Sequence, residues 1–122
     1  MDDQIKSAIA VHALTEYPRE CCGLVVKTES GEMYVSCRNL AAAPTDQFAL
    51  ASEDYAAAED MGEIVALVHS HPGASAQPTD ADRRMCERSG IAKWVIVSLG
   101  VQADGSIGVD DWCEFKPAGY VA

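Results

Sequence analysis

Two histidines stand one residue apart in the stretch HSHPGASAQPTDAD, which ends in two aspartates. Imidazole nitrogens and carboxylate oxygens are ligands from which proteins build catalytic zinc sites. Such a site takes three protein ligands and leaves the fourth position for water. His69 and His71 would supply two ligands, and either Asp80 or Asp82 could supply the third. The spacing therefore predicts a metal site with one open position.

The two aspartates also fit a purely structural role. Thr79 and Asp82 have the S/T-x-x-D spacing of a capping box, in which each side chain bonds to the other residue's backbone. Acidic residues in a first helical turn are further favoured by the helix dipole. The histidines are harder to explain in this way, because two of the chain's three flank a single serine. Spacing alone leaves the choice between Asp80 and Asp82 open.

A strand must carry the two histidines if they are to converge on one ion. Residues 64–68, IVALV, form a short apolar run after Gly62, which predicts a strand buried on both faces. Successive strand side chains alternate between the two faces. A strand that continues through HSH would therefore present His69 and His71 on one face and Ser70 on the other. Open α/β sheets bind ligands at the carboxyl ends of such strands.

Helices and strands alternate along the rest of the sequence. The predicted helices cover residues 3–16, the segment between Ser52 and Gly62, and the segment between Thr79 and Gly90. The predicted strands cover residues 21–26, 33–37, 48–51, 64–68, 93–99 and 106–115, the last one at a sheet edge. One α/β domain over residues 1–122, with a sheet sandwiched between helices, accounts for this order.

Composition excludes several functions. The net charge is −10 and no basic stripe exists, so binding to nucleic acid or to an anionic membrane surface is not expected. No apolar run approaches the ~18 residues of a membrane span. The acidic start lacks the basic region of a secretory signal, which predicts a cytoplasmic protein. The five cysteines are an odd number without C-x-x-C spacing, and we expect buried, reduced thiols.

A hydrolytic zinc site needs a group that accepts a proton from the attacking water. The sequence has no H-E-x-x-H motif, so a glutamate must come from another element. Five glutamates are candidates: Glu16, Glu20, Glu53, Glu59 and Glu63. Position favours Glu20, which comes just before a buried strand.

Three separated motifs resemble one family of zinc enzymes. Glu20 precedes Cys21-Cys22-Gly23, His69 opens HSHP, and six residues later Thr79 opens T-x-x-D. This order and spacing resemble the JAMM (MPN+, Mov34/PAD-1) metallopeptidases. The wider sequence, with SEDY upstream of GEIVALVHSHPG, is most similar to phage tail assembly proteins of the lambda K type. The resemblance covers nearly the whole chain.

The resemblance implies a three-layer α-β-α fold with a mixed central sheet, similar to cytidine deaminases. It implies a peptidase or isopeptidase with one Zn²⁺ per chain, whose ligands are His69, His71 and Asp82. Glu20 would be the general acid and base. The Thr79 hydroxyl would hold the water or the developing oxyanion, and Ser70 would support the site from the other face of the strand.

Two departures from the family leave the substrate open. Thr79 stands where the family usually has serine, and its methyl group stiffens χ1 and narrows the site. We expect these 122 residues to have no room for the insertions that grip ubiquitin, nor for the NlpC/P60-type cysteine peptidase domain that many lambda K-type proteins carry. The expected substrate is a peptide or protein, either ubiquitin-like or a phage tail protein. The alternatives are a peptidoglycan peptide hydrolase and a non-catalytic, zinc-bearing tail-assembly module. The expected location is the bacterial cytoplasm or the virion tail.

Overall fold

The computed structural model describes residues 1–118, so residues 119–122 of the predicted domain lie outside the description. The helices are α1 (Asp3–Glu16), α2 (Ser52–Met61) and α3 (Asp80–Ser89). The strands are β1 (Cys22–Thr28), β2 (Gly31–Cys37), β3 (Glu63–His71), β4 (Trp94–Val101) and β5 (Ile107–Phe115). They form one sheet in the order β2-β1-β3-β4-β5. Only β3 and β4 pair in parallel, so the sheet is mixed.

Helices cover both faces of this sheet. On one face, α1 buries an apolar stripe at helical spacing against the central strands; the stripe consists of Ile5, Ile9 and Ala13. On the opposite face, α2 and α3 contribute Ala58 and Cys86 to a second cluster built around Leu24 and Trp94. The prediction of a three-layer α-β-α fold with a mixed central sheet is therefore confirmed. No helix among the described residues is long and apolar enough to cross a membrane.

Strand β3 is longer than its apolar run and continues through both histidines. Its last six residues are all buried, because β1 and β4 flank it and helices cover the sheet. His71 lies opposite Ser98 in the parallel register with β4. The histidines thus lie at the carboxyl end of a central strand, as the sequence predicted.

The prediction of a short strand at residues 48–51 is wrong. Residues 40–49 form an irregular loop, tied at its end by a single bridge between Asn39 and Leu50. Two backbone N–H groups of this segment donate to a side chain and not to a neighbouring strand. They belong to Ala41 and Ala49, and both donate to Oδ1 of Asn39 at 3.0 Å. Backbone pairing is therefore limited to the two hydrogen bonds of this bridge, from the N–H of Leu40 to Ala49 and from the N–H of Ala51 to Arg38.

The cysteines provide a test of the core. All five are free thiols, four of them buried and Cys113 partly exposed. Burial raises the pKa of Cys21 to about 11, and it raises the pKa of Cys22 even further. Because the thiolate is the reactive form, we expect only Cys113 to react rapidly with a chromogenic aromatic disulfide at pH 8. All five thiols should react after unfolding, and several fast native thiols would contradict this packing.

Candidate active site

Both histidines project from the same face of β3, with their ring centroids 5.1 Å apart. His69 is completely buried and His71 is 7% exposed. Ser70 projects from the opposite face, where its Oγ accepts a hydrogen bond of 2.8 Å from the N–H of Cys21. That bond joins β3 to the residue that precedes β1.

Asp82 reaches the histidines from the first turn of α3. Its Oδ1 lies 3.1 Å from Nε2 of His69, and its Oδ2 lies 3.2 Å from Nε2 of His71. One ligand atom from each of the three residues lies within 4.8 Å of the others. Asp80, the other candidate, is exposed and lies outside this group.

The predicted capping box is present and fixes the same carboxylate. The N–H of Thr79 donates to Oδ2 of Asp82 at 2.9 Å, and the N–H of Asp82 donates to Oγ1 of Thr79 at 3.0 Å. The structural role and the metal role of Asp82 are therefore compatible. The cap holds the side chain where both of its oxygens face the histidines.

The donor set fits a zinc ion. Both ring nitrogens of His69 are buried without a hydrogen-bond partner among residues 1–118, and the contact to Asp82 lacks hydrogen-bond geometry. A buried polar atom left unpaired costs about 1–3 kcal/mol, which an ion on Nε2 would partly remove. His71 is oriented by its Nδ1, which donates to the carbonyl oxygen of Ser75 at 2.7 Å. In the neutral ring the proton is then on Nδ1, and Nε2 of His71, which lies 3.2 Å from Oδ2 of Asp82, would offer its lone pair to a metal.

The electrostatics also favour a cation. Burial alone would raise the pKa of Asp82, but the ring nitrogens of His69 and His71, 3.1 Å and 3.2 Å from its oxygens, hold that pKa well below its usual range. Burial lowers the pKa of His69 and favours its neutral ring. Burial of His71 is instead outweighed by its bonds to Asp82 and Ser75, which raise the pKa of His71. His71 would therefore release a proton when a metal binds. An ionised carboxylate and a neutral imidazole are the forms that bind metal. The three residues could therefore bind a metal ion.

Glu20 lies beside this group, two residues before the start of β1. It is 8% exposed and lines a cleft of 340 Å³ together with His71 and Thr79. A second cavity of 300 Å³ adjoins it and is lined by the same three residues and by Asp82. Burial raises the pKa of Glu20 to about 7, an effect that His71 partly opposes. None of the other four candidate glutamates lines either cavity.

Asn39 is a site residue that the sequence interpretation missed. Its Nδ2 donates to the carbonyl oxygens of Glu20 at 2.9 Å and of Gln47 at 3.0 Å. The N–H of Glu20 in turn donates to the carbonyl oxygen of Pro44 at 2.7 Å. The 40–49 loop is therefore held to the backbone of Glu20 both directly, through Pro44, and through the buried amide of Asn39. Its partners come from distant residues, so sequence spacing gives no signal of it.

Two aromatic residues pack against the buried side of the group formed by His69, His71 and Asp82. Phe48 stacks on the ring of His69 with centroids 4.5 Å apart, and Trp94 meets the same ring edge-on at 5.6 Å. They restrict the orientation of His69, whose ring nitrogens make no hydrogen bond to do so. The sequence predicted Trp94 only as part of a buried strand. It predicted Phe48 only as part of the strand at residues 48–51, which does not form.

Replacing Asn39 with alanine should lower the free energy of unfolding by about 2–4 kcal/mol. Several buried carbonyl and amide groups would lose their partner, each at a cost of about 1 kcal/mol or more. Urea unfolding of both chains measures the difference. Gln4→Ala, on the exposed face of α1, is the matched control and should stay within about 0.5 kcal/mol of the parent. Equal effects of the two substitutions would contradict the role given to Asn39.

Residues 2–112 match the model of a protein family described as prokaryotic homologs of the JAB domain. The chain belongs to this family. The match covers every described helix and most of the sheet, including both site histidines and Asp82. It confirms the family that the HSHP and T-x-x-D motifs indicated.

Two relatives of this JAB-domain chain are phage proteins. The tail tip assembly protein K of Escherichia phage N15 is 54% identical over 91 residues, covering 75% of this chain and 37% of that protein. The tail tip assembly protein K of Escherichia phage lambda is 47% identical over 47 residues, covering 38% of this chain and 24% of that protein. The chain thus spans little more than a third of the length of the phage N15 protein.

Solved structures share the JAB-domain fold. Protein DSY2949 from Desulfitobacterium hafniense superimposes with a TM-score of 0.63 at 21% identity, over 89% of this chain and 87% of that one. The JAB1/MPN domain protein AF2198 from Archaeoglobus fulgidus gives a TM-score of 0.55 at 16% identity, over 95% and 84%. At such low identities these structures support the fold alone.

Proposed function

We propose that this JAB-domain chain is a zinc-dependent hydrolase of amide bonds in a peptide or protein. One observation carries the proposal: the ring nitrogens of His69 and His71 meet the carboxylate of Asp82 beside Glu20, at the edge of an open cleft. A set of two imidazoles and one carboxylate is a typical catalytic zinc site. The neighbouring glutamate supplies the proton acceptor that such a site needs.

Each residue has a distinct task in the proposed reaction. His69, His71 and Asp82 would hold the ion, which when bound polarises a carbonyl and lowers the pKa of water to about 7. Glu20 accepts a proton from the attacking water and donates it to the leaving amine nitrogen as the C–N bond breaks.

In the proposed reaction, Thr79 would stabilise the oxygen of the scissile carbonyl. Its Oγ1 accepts from the N–H of Asp82, so the hydroxyl hydrogen is free to donate into the cleft that Thr79 lines. A donor aimed at a developing oxyanion lowers the barrier. Ser70 has a supporting task, since its bond to the N–H of Cys21 holds the strand of the histidines against the residue next to Glu20.

The phage relatives suggest where the activity is used. The proteins of phages N15 and lambda are named for tail tip assembly. We propose that the substrate is a tail protein, cleaved in the bacterial cytoplasm or on the assembling tail. The same names favour the second candidate, a zinc-bearing assembly module that binds tail proteins without cleaving them.

Metal content tests the proposal first. Elemental analysis of the 122-residue chain, purified without chelating resin, should find about one zinc per chain in the parent and in His12→Ala. The His71→Ala variant should contain no zinc. His12 lies on α1, so His12→Ala serves as the matched control. A parent that binds no zinc after incubation with the ion would contradict the proposal. A zinc-loaded parent that cleaves neither tail proteins nor peptidoglycan peptides would favour the assembly module.

A further inference from the structure

One charged residue of the cleft has no part in the chemistry above. Glu20, Asp46 and Asp82 are the carboxylates that line the two cavities, and no lysine or arginine lines either within residues 1–118. Glu20 and Asp82 are assigned to proton transfer and to the metal. Asp46 lines both cavities and is exposed, so its charge is available to a bound molecule.

The backbone that carries Asp46 is held on both sides. The N–H groups of Asp46 and Gln47 both donate to the carbonyl oxygen of Ala43, at 3.1 Å and 2.9 Å. The carbonyl oxygen of Gln47 accepts from Nδ2 of Asn39. The backbone of Asp46 is therefore held in place on the wall of the cleft.

The cavity beside Asp46 also has an apolar surface. Phe48 and Met85 line the 300 Å³ cavity together with Asp46. Met85 is 38% exposed. Because burial of apolar surface is favourable, a bound molecule that covers this side chain would be stabilised. An apolar wall that ends in a carboxylate is complementary to a side chain with a methylene stem and a cationic tip.

We propose that the substrate carries a lysine-like residue beside the scissile amide. Its stem packs on Phe48 and Met85, and its ammonium group pairs with Asp46. The inference rests on the proposed function, because it names the substrate class of that same site. It also agrees with the net charge of −10, which attracts cationic molecules to the chain.

Peptide hydrolysis tests the preference directly. Internally quenched peptides would be compared in sets that differ at one position, occupied by lysine, norleucine or glutamate, on either side of the scissile bond. Norleucine keeps the stem of lysine and removes its charge. We expect kcat/KM of the zinc-loaded parent to be about fivefold higher for lysine than for norleucine, the ratio that about 1 kcal/mol from an exposed ion pair gives.

Substitutions assign the preference to Asp46. The lysine-to-norleucine ratio should fall to about 1 in Asp46→Asn, and glutamate should become the preferred residue in Asp46→Lys. Asp60→Asn removes an exposed charge from α2 and is the matched control, which should keep the parent ratio. Equal rates for lysine and norleucine peptides in the parent, or an unchanged ratio in Asp46→Asn, would overturn the inference.

A binding measurement separates this inference from the proposed function. The methyl signal of Met85 would be followed by NMR while alanyl-lysyl-alanine or alanyl-norleucyl-alanine is added to the chain. A saturable shift that is larger for the lysine peptide and lost in Asp46→Asn supports the subsite, even if no peptide is cleaved. Equal shifts for the two peptides would overturn it, even if hydrolysis is observed.

Discussion

Replacing Glu20 with glutamine should lower the turnover number for amide hydrolysis about 100- to 10,000-fold, the usual contribution of a general acid or base. Zinc should stay bound at about one ion per chain, because the three residues that would hold it are unchanged. Glutamine is close to glutamate in shape and can neither accept a proton from water nor deliver one to the leaving amine. Steady-state hydrolysis of a cleaved peptide, with zinc measured on the same sample, checks both halves of the prediction.

The same substitution should not damage the fold. Burial raises the pKa of Glu20 to about 7 in the metal-free chain, above the value of an exposed glutamate. A group whose folded pKa is raised stabilises the fold at low pH and loses that contribution as pH rises through the folded value. Glutamine does not ionise, so Glu20→Gln removes this loss of stability at high pH. The metal-free variant should therefore be at least as stable as the parent at pH 8, measured by urea unfolding.

Glu59→Gln is the matched control for Glu20. Glu59 lies on the exposed surface of α2 and lines neither cavity of the cleft. The control should keep the parent's turnover number and zinc content. Full activity in Glu20→Gln would remove Glu20 from the proposed mechanism. Loss of zinc or of stability in that variant would show that Glu20 acts by supporting the site.

The sequence predicted the parts of the site that follow from local periodicity. Strand alternation predicted that His69 and His71 would share one face of β3, with Ser70 on the other, and the structure has this arrangement. The S/T-x-x-D spacing predicted the cap that holds Asp82. These features depend on a few neighbouring residues, for which backbone geometry determines the directions of the side chains.

The parts that sequence could not supply depend on contacts between distant residues. Periodicity alone did not separate Asp80 from Asp82, because that choice depends on which carboxylate faces a strand 11 residues away in the chain. Residues 48–51 have the composition of a strand, yet they form only a single bridge, and the side chain of Asn39 takes the amide of Ala49. A side chain that satisfies backbone groups in this way competes with regular structure, and short propensity patterns do not reveal it.

Zinc should stabilise the chain against unfolding, and this gain should depend on Asp82 and not on Asp80. An ion that binds only the folded chain adds about 2.7 kcal/mol at a free concentration of 100 times its dissociation constant. Loss of a ligand should weaken zinc binding by more than the roughly 10- to 100-fold that is lost when a group that hydrogen-bonds to a ligand is removed. At the same zinc concentration, a 100-fold loss leaves a gain of only about 0.4 kcal/mol. Urea unfolding of Asp82→Asn with zinc and with a chelator measures this gain.

Asp80→Asn is the control that isolates the metal from the helix. Both aspartates lie in the first turn of α3, so either substitution removes one negative charge from the same end of the helix dipole. That loss lowers stability by about 0.3–1 kcal/mol whether zinc is present or not. Asp80 is exposed and outside the group of possible ligands, so its variant should keep the full gain from zinc. Equal gains in the two variants would mean that zinc binds elsewhere on the chain, and the carboxylate between the histidines would then be a helix cap alone.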